Sequence, residues 1–256
     1  MNEPVNSTIL LLDIERFSDR DDVEQGYLRR MLYDLTDRAL LAAGIDETRR
    51  RRADRGDSVM ELIDANASVT ALLRALLTEL PAQLRGMNRQ ASRSAQMRLR
   101  GVVAAGYVAV DQHQGWVGSD LNHACRLLDA DLLKEALRER PDDFALCVSD
   151  AVYQGIVRHS HVGVPSEEFH SVTMDSKNGP LAAWLHGPVP SSDSLMKTSS
   201  AEGGQSPVEA VPSLPPGADR TPIIGGVFGG TNHGIAGGTF SGDFHFGGGT
   251  DRGDRR

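Results

Sequence analysis

Asn122 and Arg126 form a polar pair whose spacing could bind a ligand. Helical periodicity over residues 118–127 places them, four positions apart, one turn above each other on a helix face. Arginine offers several donors in a fixed fork and asparagine both donates and accepts, so the pair could hold a sugar oxygen and a phosphate together. The alternative is that the two residues are simply the polar face of an amphipathic helix. Only the surrounding chain can distinguish these interpretations.

Asp13 is a second candidate for chemistry because it follows a predicted buried strand. Residues 9–12 read Ile-Leu-Leu-Leu, a continuous apolar run of the kind found in such strands. A carboxylate at the end of a buried strand is costly to bury unless a cation or hydrogen-bond donors compensate its charge. A turn or helix-capping role is the alternative. The position makes Asp13 a better candidate for chemistry than most aspartates.

Two stretches with helical periodicity precede the helix of Asn122. The first covers residues 23–43 and ends at Gly44. The second covers residues 69–80 and is expected to stop at Pro81 or a few residues later, because proline disrupts a helix interior. A polar, arginine-bearing loop is expected over residues 85–96.

The remaining patterns predict strands and one short helix. A hairpin is expected with its tight turn at Gly56, which places Asp57 at the start of the returning strand. A strand over residues 99–110 is expected to be broken by Gly101 and Gly106. The other predicted elements are strands over residues 144–148, 169–174 and 181–185, and a short helix capped by Ser149.

Composition limits the classes of function. The chain has 256 residues, of which 39% are hydrophobic and 24% charged, as in an ordinary soluble protein. Its net charge of −8 argues against general affinity for nucleic acid. Because the protein is acidic, we expect the arginine run of residues 49–52 to lie on an exposed strand, which could line up beside a phosphate-rich ligand.

Several features favour the cytoplasm. Cys125 and Cys147 both lie in apolar contexts, as small core residues do in a reducing compartment. The amino terminus carries no basic stretch followed by an apolar core, and no apolar run approaches the roughly 18 residues of a membrane span. We therefore expect a cytoplasmic protein without a membrane partner.

The character of the chain changes after about residue 187. Proline, serine and glycine accumulate, so residues 187–220 are expected to form a flexible linker. Beyond it, Ile223-Ile-Gly-Gly-Val-Phe-Gly-Gly230 recurs twelve positions later as Ile235-Ala-Gly-Gly-Thr-Phe-Ser-Gly242. Two such units could stack on each other or on another chain. Residues 221–250 are therefore expected to form an assembly motif, the alternative being a glycine-rich tail with accidental similarity.

Three ordered segments together resemble the catalytic domain of class III nucleotidyl cyclases, the adenylate and guanylate cyclases. Asp13-Ile-Glu-Arg-Phe-Ser18 is similar to the strand-end motif of that family. Gly56-Asp57, in a hairpin about forty residues later, is similar to its second acidic motif. The third segment, Gly118-x-x-Leu-Asn122-x-Ala-x-Arg126-Leu127, is similar to its helix motif. The resemblance covers roughly residues 7–186 and implies an α/β (α+β sandwich) fold of the ferredoxin-like type.

The resemblance also implies an activity and a set of ligands. A nucleotidyl cyclase, which is a phosphorus–oxygen lyase, converts a nucleoside triphosphate to a 3′,5′-cyclic nucleotide and pyrophosphate. Two divalent cations, Mn²⁺ or Mg²⁺, would be held by the carboxylates of Asp13 and Asp57 and the carbonyl of Ile14. The amides near Phe17 and Ser18 would receive the triphosphate.

By the same resemblance, the polar pair on the helix has a defined role. Asn122 would orient the ribose, and Arg126 would stabilise the charge that develops at the α-phosphate. In the family, the carboxylates and this pair come from opposite subunits of a head-to-tail dimer. The chain is therefore expected to form a homodimer with shared sites.

The chain departs from the family where the base is read. Purine cyclases carry a lysine or glutamate where this chain has Ala53, and often an aspartate or small polar residue where it has Gly115. Asp54, Arg55 or side chains near Trp116 could read the base instead. A late lysine that contacts the triphosphate is matched loosely by Lys177, about one position out of register.

These departures resemble the pyrimidine cyclases of bacterial anti-phage signalling, which make cyclic UMP or cyclic CMP. The Gly-Gly-Thr-Phe repeat of the tail resembles amyloid-type signalling motifs of actinobacterial proteins, which implies a partner protein recruited through the tail. Two alternatives differ in class from an active cyclase. One is a cyclase-like domain that binds nucleotide without turnover, and the other is an adaptor that acts through its tail.

Overall fold

A computed structural model of the chain describes residues 3–112, 115–175 and 179–191. The chain divides into two units, Met1–Ser206 and Pro207–Arg256, and all described residues lie in the first. Within it, eight strands form one sheet with helices on both faces. The strands are β1 (Val5–Ile14), β2 (Arg50–Asp54), β3 (Ser58–Asp64), β4 (Leu99–Val110), β5 (Trp116–Val117), β6 (Phe144–Ser149), β7 (Phe169–Met174) and β8 (Leu181–His186).

Six α-helices connect or cover these strands. They are α1 (Asp22–Ala42), α2 (Val69–Leu77), α3 (Glu79–Asn88), α4 (Ser119–Asp129), α5 (Asp131–Glu139) and α6 (Asp150–Gly155). Among the described residues, no helix is long and apolar enough to cross a membrane.

The sheet runs in the order β2-β3-β1-β4-β6-β8-β7, with β5 added to the end of β4. The β4–β6 pair is parallel and every other neighbouring pair is antiparallel. β1 lies at the centre, between β3 and β4. Its residues Asp13 and Ile14 therefore stand beside the start of β3 on one side and the start of β4 on the other.

Both faces of β1 are buried, which explains its continuous apolar run. Leu10, Leu12 and Ile14 belong to a core that contains residues of α1, α2 and α3. Ile9 and Leu11, pointing the other way because side chains alternate along a strand, belong to a second core that contains residues of α4 and α5. The structure thus confirms a mixed α+β fold with a two-sided sheet.

Most predicted elements are confirmed, but the second helical stretch was predicted wrongly. The helix is interrupted at Thr78, between α2 and α3. It then continues through residues 85–88, for which the sequence predicts a loop. Pro81 lies in the first turn of α3, where a missing backbone N–H breaks no intrahelical hydrogen bond. It therefore does not end the helix.

The predicted breaks in the strand over residues 99–110 are also wrong, since β4 is continuous. A Cβ at Gly101 would lie 2.9 Å from ring atoms of Phe144, and one at Gly106 would lie 2.1 Å from the Asp120 carboxylate. These glycines therefore allow close packing on the strand and do not interrupt it.

The predicted linker over residues 187–220 is described only as far as residue 191. Lys177 and the repeat within residues 221–250 lie outside the described residues.

Candidate active site

The Asp13 carboxylate is mostly buried and has an arginine as its counter-ion. Asp13 lies directly opposite Arg100 in the antiparallel register of β1 and β4. Nη2 of Arg100 donates a hydrogen bond to Oδ2 of Asp13, and the two side chains are only 13% and 11% exposed. Sequence reasoning predicted a cation or donors near this carboxylate but did not identify Arg100.

Asp13 also lies within the electrostatic field of other carboxylates. Burial raises the pKa of its carboxyl to about 6, and Arg100 works against this rise. The negative charges of Asp57 and Asp129 add to it. Two further carboxylates therefore act on Asp13, and a further positive charge would be stabilised beside it.

The turn of the β2–β3 hairpin brings Asp57 to the end of β1. Gly56 has a φ of +85°, a left-handed conformation that suits glycine, and its N–H donates to Asp54 over 2.8 Å. The carbonyl of Asp57 accepts a hydrogen bond from the Ile14 N–H at 3.1 Å. The structure thus brings Asp13, Ile14 and Asp57 together at the end of β1.

A tight turn follows β1 and carries the predicted triphosphate-binding residues. Phe17 and Ser18 begin a short 3₁₀ helix after Arg16, whose φ is +55°. The Asp19 and Arg20 N–H groups donate to the carbonyls of Arg16 and Phe17, which closes the turn. The Phe17 side chain packs against the core, while Ser18 is exposed. The backbone beside Asp13 is thereby fixed against the core.

Asn122 and Arg126 lie on the outward side of α4. Leu121, Ala124 and Leu127 face the second core, which leaves Asn122 exposed and Arg126 half-buried. Together with Ser119 and Cys125, this pair lines an open concavity of about 410 Å³. Neither Asp13 nor Asp57 lines it. Within the described part of one chain, the carboxylates and the Asn122–Arg126 pair therefore do not share a pocket.

Close contacts fix the start of α4 against β4. A Cβ at Gly118 would lie 2.6 Å from the Tyr107 carbonyl oxygen, so any larger residue would push the helix away. The Asp120 carboxylate accepts a hydrogen bond from the Tyr107 N–H at 2.8 Å and occupies the space that a side chain at Gly106 would fill. Asp120 is thus a positioning residue that sequence reasoning missed, although an acidic residue in the first turn of a helix was a visible signal.

Two of the base-specificity candidates lie on the β2–β3 hairpin, Ala53 within β2 and Arg55 directly after it. Ala53 packs against the second core and offers no polar group. Nε of Arg55 donates a hydrogen bond to Sδ of Met60 at 3.4 Å. The positive charge of Arg55 also lowers the pKa of the Cys125 thiol on α4. Burial raises the pKa of the Cys125 thiol, Asp129 adds to the rise, and Arg55 opposes it. Arg55 is therefore close to the helix that carries Asn122 and Arg126.

The third candidate, Gly115, lies against the carboxylate of Asp111. Its N–H donates to Oδ1 of Asp111 at 2.7 Å, and its carbonyl accepts from the Asp111 N–H at 2.8 Å. A Cβ at Gly115 would meet Oδ2 of Asp111 at 2.6 Å. The other residue considered at the sequence level, Asp54, is engaged by Arg29 of α1.

The arginine run is only partly exposed, which corrects the sequence prediction. Arg50 and Arg52 point towards α1, where each donates to both Glu61 and Asp37 over 2.5 to 2.7 Å. Arg51 points the other way and is exposed. The run therefore contributes mainly to ion pairs within the fold and not to a phosphate-binding surface.

The residues at the end of β1 fit a divalent cation. Asp13, Asp57 and the Ile14 carbonyl are oxygen donors, the ligand type that Mg²⁺ and Mn²⁺ prefer. Burial and neighbouring negative charges both disfavour the ionised Asp13 carboxylate, so a cation there would relieve them. Among the described residues, no group of three or more His, Cys, Asp or Glu side chains could hold a metal ion by itself.

The fold is that of class III adenylate and guanylate cyclase catalytic domains. The structure is similar to that of the guanylyl cyclase Cya2, with a TM-score of 0.51 and 15% sequence identity over 75% of this chain and 97% of that chain. It is also similar to a bacterial light-regulated adenylyl cyclase, with a TM-score of 0.51 and 14% identity over 78% of this chain and 99% of that chain. No protein-family model matches the sequence, and a sequence comparison with curated proteins finds no match.

Proposed function

We propose that the protein is a nucleotidyl cyclase that works as a homodimer with sites shared between its subunits. The ribose 3′-hydroxyl, giving its proton to solvent, would form a bond to the α-phosphorus of a nucleoside triphosphate. The bond from that phosphorus to the β-phosphate oxygen would break, and pyrophosphate would leave. The observation that carries the proposal is the meeting of Asp13 and Asp57 at one end of a cyclase-type sheet.

Two divalent cations, Mn²⁺ or Mg²⁺, belong to this proposal. Asp13, Asp57 and the Ile14 carbonyl would hold them, and the turn at Phe17 and Ser18 would receive the triphosphate. When bound, such ions stabilise the charge on the attacking and leaving oxygens. The similar structures of a guanylyl and an adenylyl cyclase support this assignment through their fold.

The outward side of α4 would supply the other half of the site. Asn122 would orient the ribose, because its amide both donates and accepts. Arg126 would stabilise the charge at the α-phosphate through its fixed fork of donors. The two residues line a concavity on α4 that neither Asp13 nor Asp57 of the same chain lines, which is why we assign the missing carboxylates to a second copy.

We further propose that the base is a pyrimidine. The two positions that read purines in the related cyclases carry Ala53 and Gly115, which have no polar side-chain group. A larger residue at position 115 would also have to displace the Asp111 carboxylate, which accepts a hydrogen bond from the Gly115 N–H. Arg55, whose positive charge lowers the pKa of the Cys125 thiol on α4, is a polar group of this region that could contact a base.

A nucleotide-binding domain without turnover is the alternative that one observation favours. The ion pair of Asp13 with Arg100 already neutralises a carboxylate that an active cyclase needs for metal binding. In that case the protein would bind a nucleoside triphosphate and release no product.

The deciding experiment is incubation of the purified full chain with Mn²⁺ and each of the four ribonucleoside triphosphates. We expect a 3′,5′-cyclic pyrimidine nucleotide and an equal amount of pyrophosphate, both identified by mass spectrometry. Asp57→Ala serves as the matched negative control. Binding of nucleotide without product from any of the four would favour the alternative.

A further inference from the structure

Arg100 differs from its neighbour Arg98 in having a single partner. Nη2 of Arg98 donates to the carbonyls of Leu137, Arg140 and Asp142, so this arginine ties several segments together. Among the described residues, Asp13 is the one hydrogen-bond partner of Arg100, and the buried Nε of Arg100 has none. The fold therefore buries a guanidinium whose one evident contact is the candidate metal-binding carboxylate.

Burying such a guanidinium is costly unless its charge is compensated. An arginine this deeply buried loses most of its hydration, and a buried donor without an acceptor adds to the cost. Asp13, directly across the β1–β4 pair, compensates the charge. The pairing is mutual, because Asp13 would otherwise be a buried carboxylate facing the negative charges of Asp57 and Asp129.

We propose that Arg100 is a built-in competitor of the divalent cation for Asp13, so that metal binding must overcome the ion pair between the guanidinium and this carboxylate. The inference rests on the proposed function, since it takes Asp13 as a metal ligand. If Arg100 stayed beside one oxygen of Asp13, its guanidinium and the cation would repel each other. If Arg100 moved away, the buried guanidinium would lose its counter-ion. In either arrangement Arg100 weakens metal binding, and the site fills only at higher metal concentration or when a triphosphate arrives with its metal.

The test is direct titration of the full chain with Mn²⁺, measuring free Mn²⁺ by electron paramagnetic resonance. Arg100→Met removes the charge and keeps much of the side-chain volume. We expect its Kd for Mn²⁺ to fall at least about tenfold, which corresponds to about 1.4 kcal/mol. Arg100→Lys keeps a positive charge beside Asp13 and should stay close to the unmodified chain.

Two control variants separate the local effect from general ones. Arg138→Met removes one positive charge from an exposed side chain of α5 and should leave the Kd unchanged. Asp13→Asn should abolish the tight binding in the Arg100→Met background, which would place the ion at Asp13. Thermal unfolding gives a second readout, because Mn²⁺ should raise the Tm of Arg100→Met more than that of the unmodified chain.

An unchanged or weaker affinity in a folded Arg100→Met variant would overturn the inference. Absence of Mn²⁺ binding in both proteins would overturn it as well, because Asp13 would then not be a metal ligand. The first outcome is distinct from failure of the proposed function, whereas the second would also remove the metal site of that proposal. Cyclic product from the unmodified chain, together with an unchanged Kd in Arg100→Met, would leave the cyclase assignment standing and remove only the role of Arg100.

Discussion

The arginine run shows how strand geometry assigns different roles to adjacent residues of one type. Arg50 is only 8% exposed and pairs with Glu61, which is fully buried, and with Asp37 of α1. Arg51, one position later, points to the other face and is exposed. Because side chains alternate along a strand, the same residue type is a buried ion-pair partner at one position and a solvated surface group at the next.

Replacing Arg50 should therefore destabilise the fold far more than replacing Arg51. Arg50→Met removes one of the two guanidinium groups that compensate the fully buried carboxylate of Glu61. We therefore expect the free energy of unfolding to fall by about 3 kcal/mol. Arg51→Met should change it by less than about 0.5 kcal/mol. Urea unfolding followed by circular dichroism measures both. Equal effects of the two substitutions would contradict the assigned faces.

The role of Asp13 could be predicted from the sequence only in part. The cost of burying a carboxylate indicated that a cation or donors would lie nearby. The identity of that cation depends on the register of β1 against β4, which joins residues 13 and 100. The two glycines of β4 suggested a broken strand, so this register could not be derived from local pattern. The long-range pairing, and not the chemistry of the residue, was the missing information.

At the scale of elements, the position of α4 depends on residues that do not themselves bind a ligand. Gly118 allows the helix to start against the Tyr107 carbonyl, and Asp120 accepts a hydrogen bond from the Tyr107 N–H. The helix and its amphipathic face were predictable from periodicity. Its attachment to β4 was not, because that attachment depends on a close approach between segments distant in sequence.

Gly118→Ala tests this attachment. The new methyl group would lie 2.6 Å from a backbone oxygen, which cannot turn aside as a flexible side chain can. We expect the free energy of unfolding to fall by about 1–3 kcal/mol and cyclase activity to fall with the displaced Asn122 and Arg126. Thermal unfolding and the cyclase assay measure the two effects.

Gly86→Ala is the matched control for this substitution. Gly86 lies in α3, and a Cβ there meets nothing within 4 Å. This substitution should stabilise the protein by about 0.5–1 kcal/mol and leave activity unchanged. If Gly118→Ala behaved in the same way, α4 would not depend on the close contact with Tyr107.

At the scale of the whole molecule, the residues of the proposed site fall into two groups that line no common pocket in the described part of one chain. Asp13 and Asp57 lie at the end of β1, while Asn122 and Arg126 line a separate concavity on α4. Two copies related by a two-fold axis would form two complete sites. Each site would take Asp13 and Asp57 from one copy and Asn122 and Arg126 from the other. The motifs predicted both halves from the sequence. Their separation within one chain became visible only in the three-dimensional arrangement.

Mixing two inactive variants tests this division between subunits. Asp57→Ala damages one half-site and Arg126→Ala the other, and each variant alone should be inactive. With free exchange of subunits, about half of the dimers are mixed, and each mixed dimer has one intact site of two. The mixture should therefore recover about a quarter of the unmodified activity in the cyclase assay.

A second mixture provides the control, because Asp57→Ala and Asp13→Ala both damage the same half-site. In their mixed dimers each site lacks one carboxylate, so activity should not return. Analytical ultracentrifugation of each variant should show that the dimer persists. Recovery in both mixtures would contradict shared sites, as would no recovery in the first mixture when exchange of subunits is demonstrated. Recovery confined to the first mixture requires that Arg126 of one subunit acts on the nucleotide held by Asp13 and Asp57 of the other.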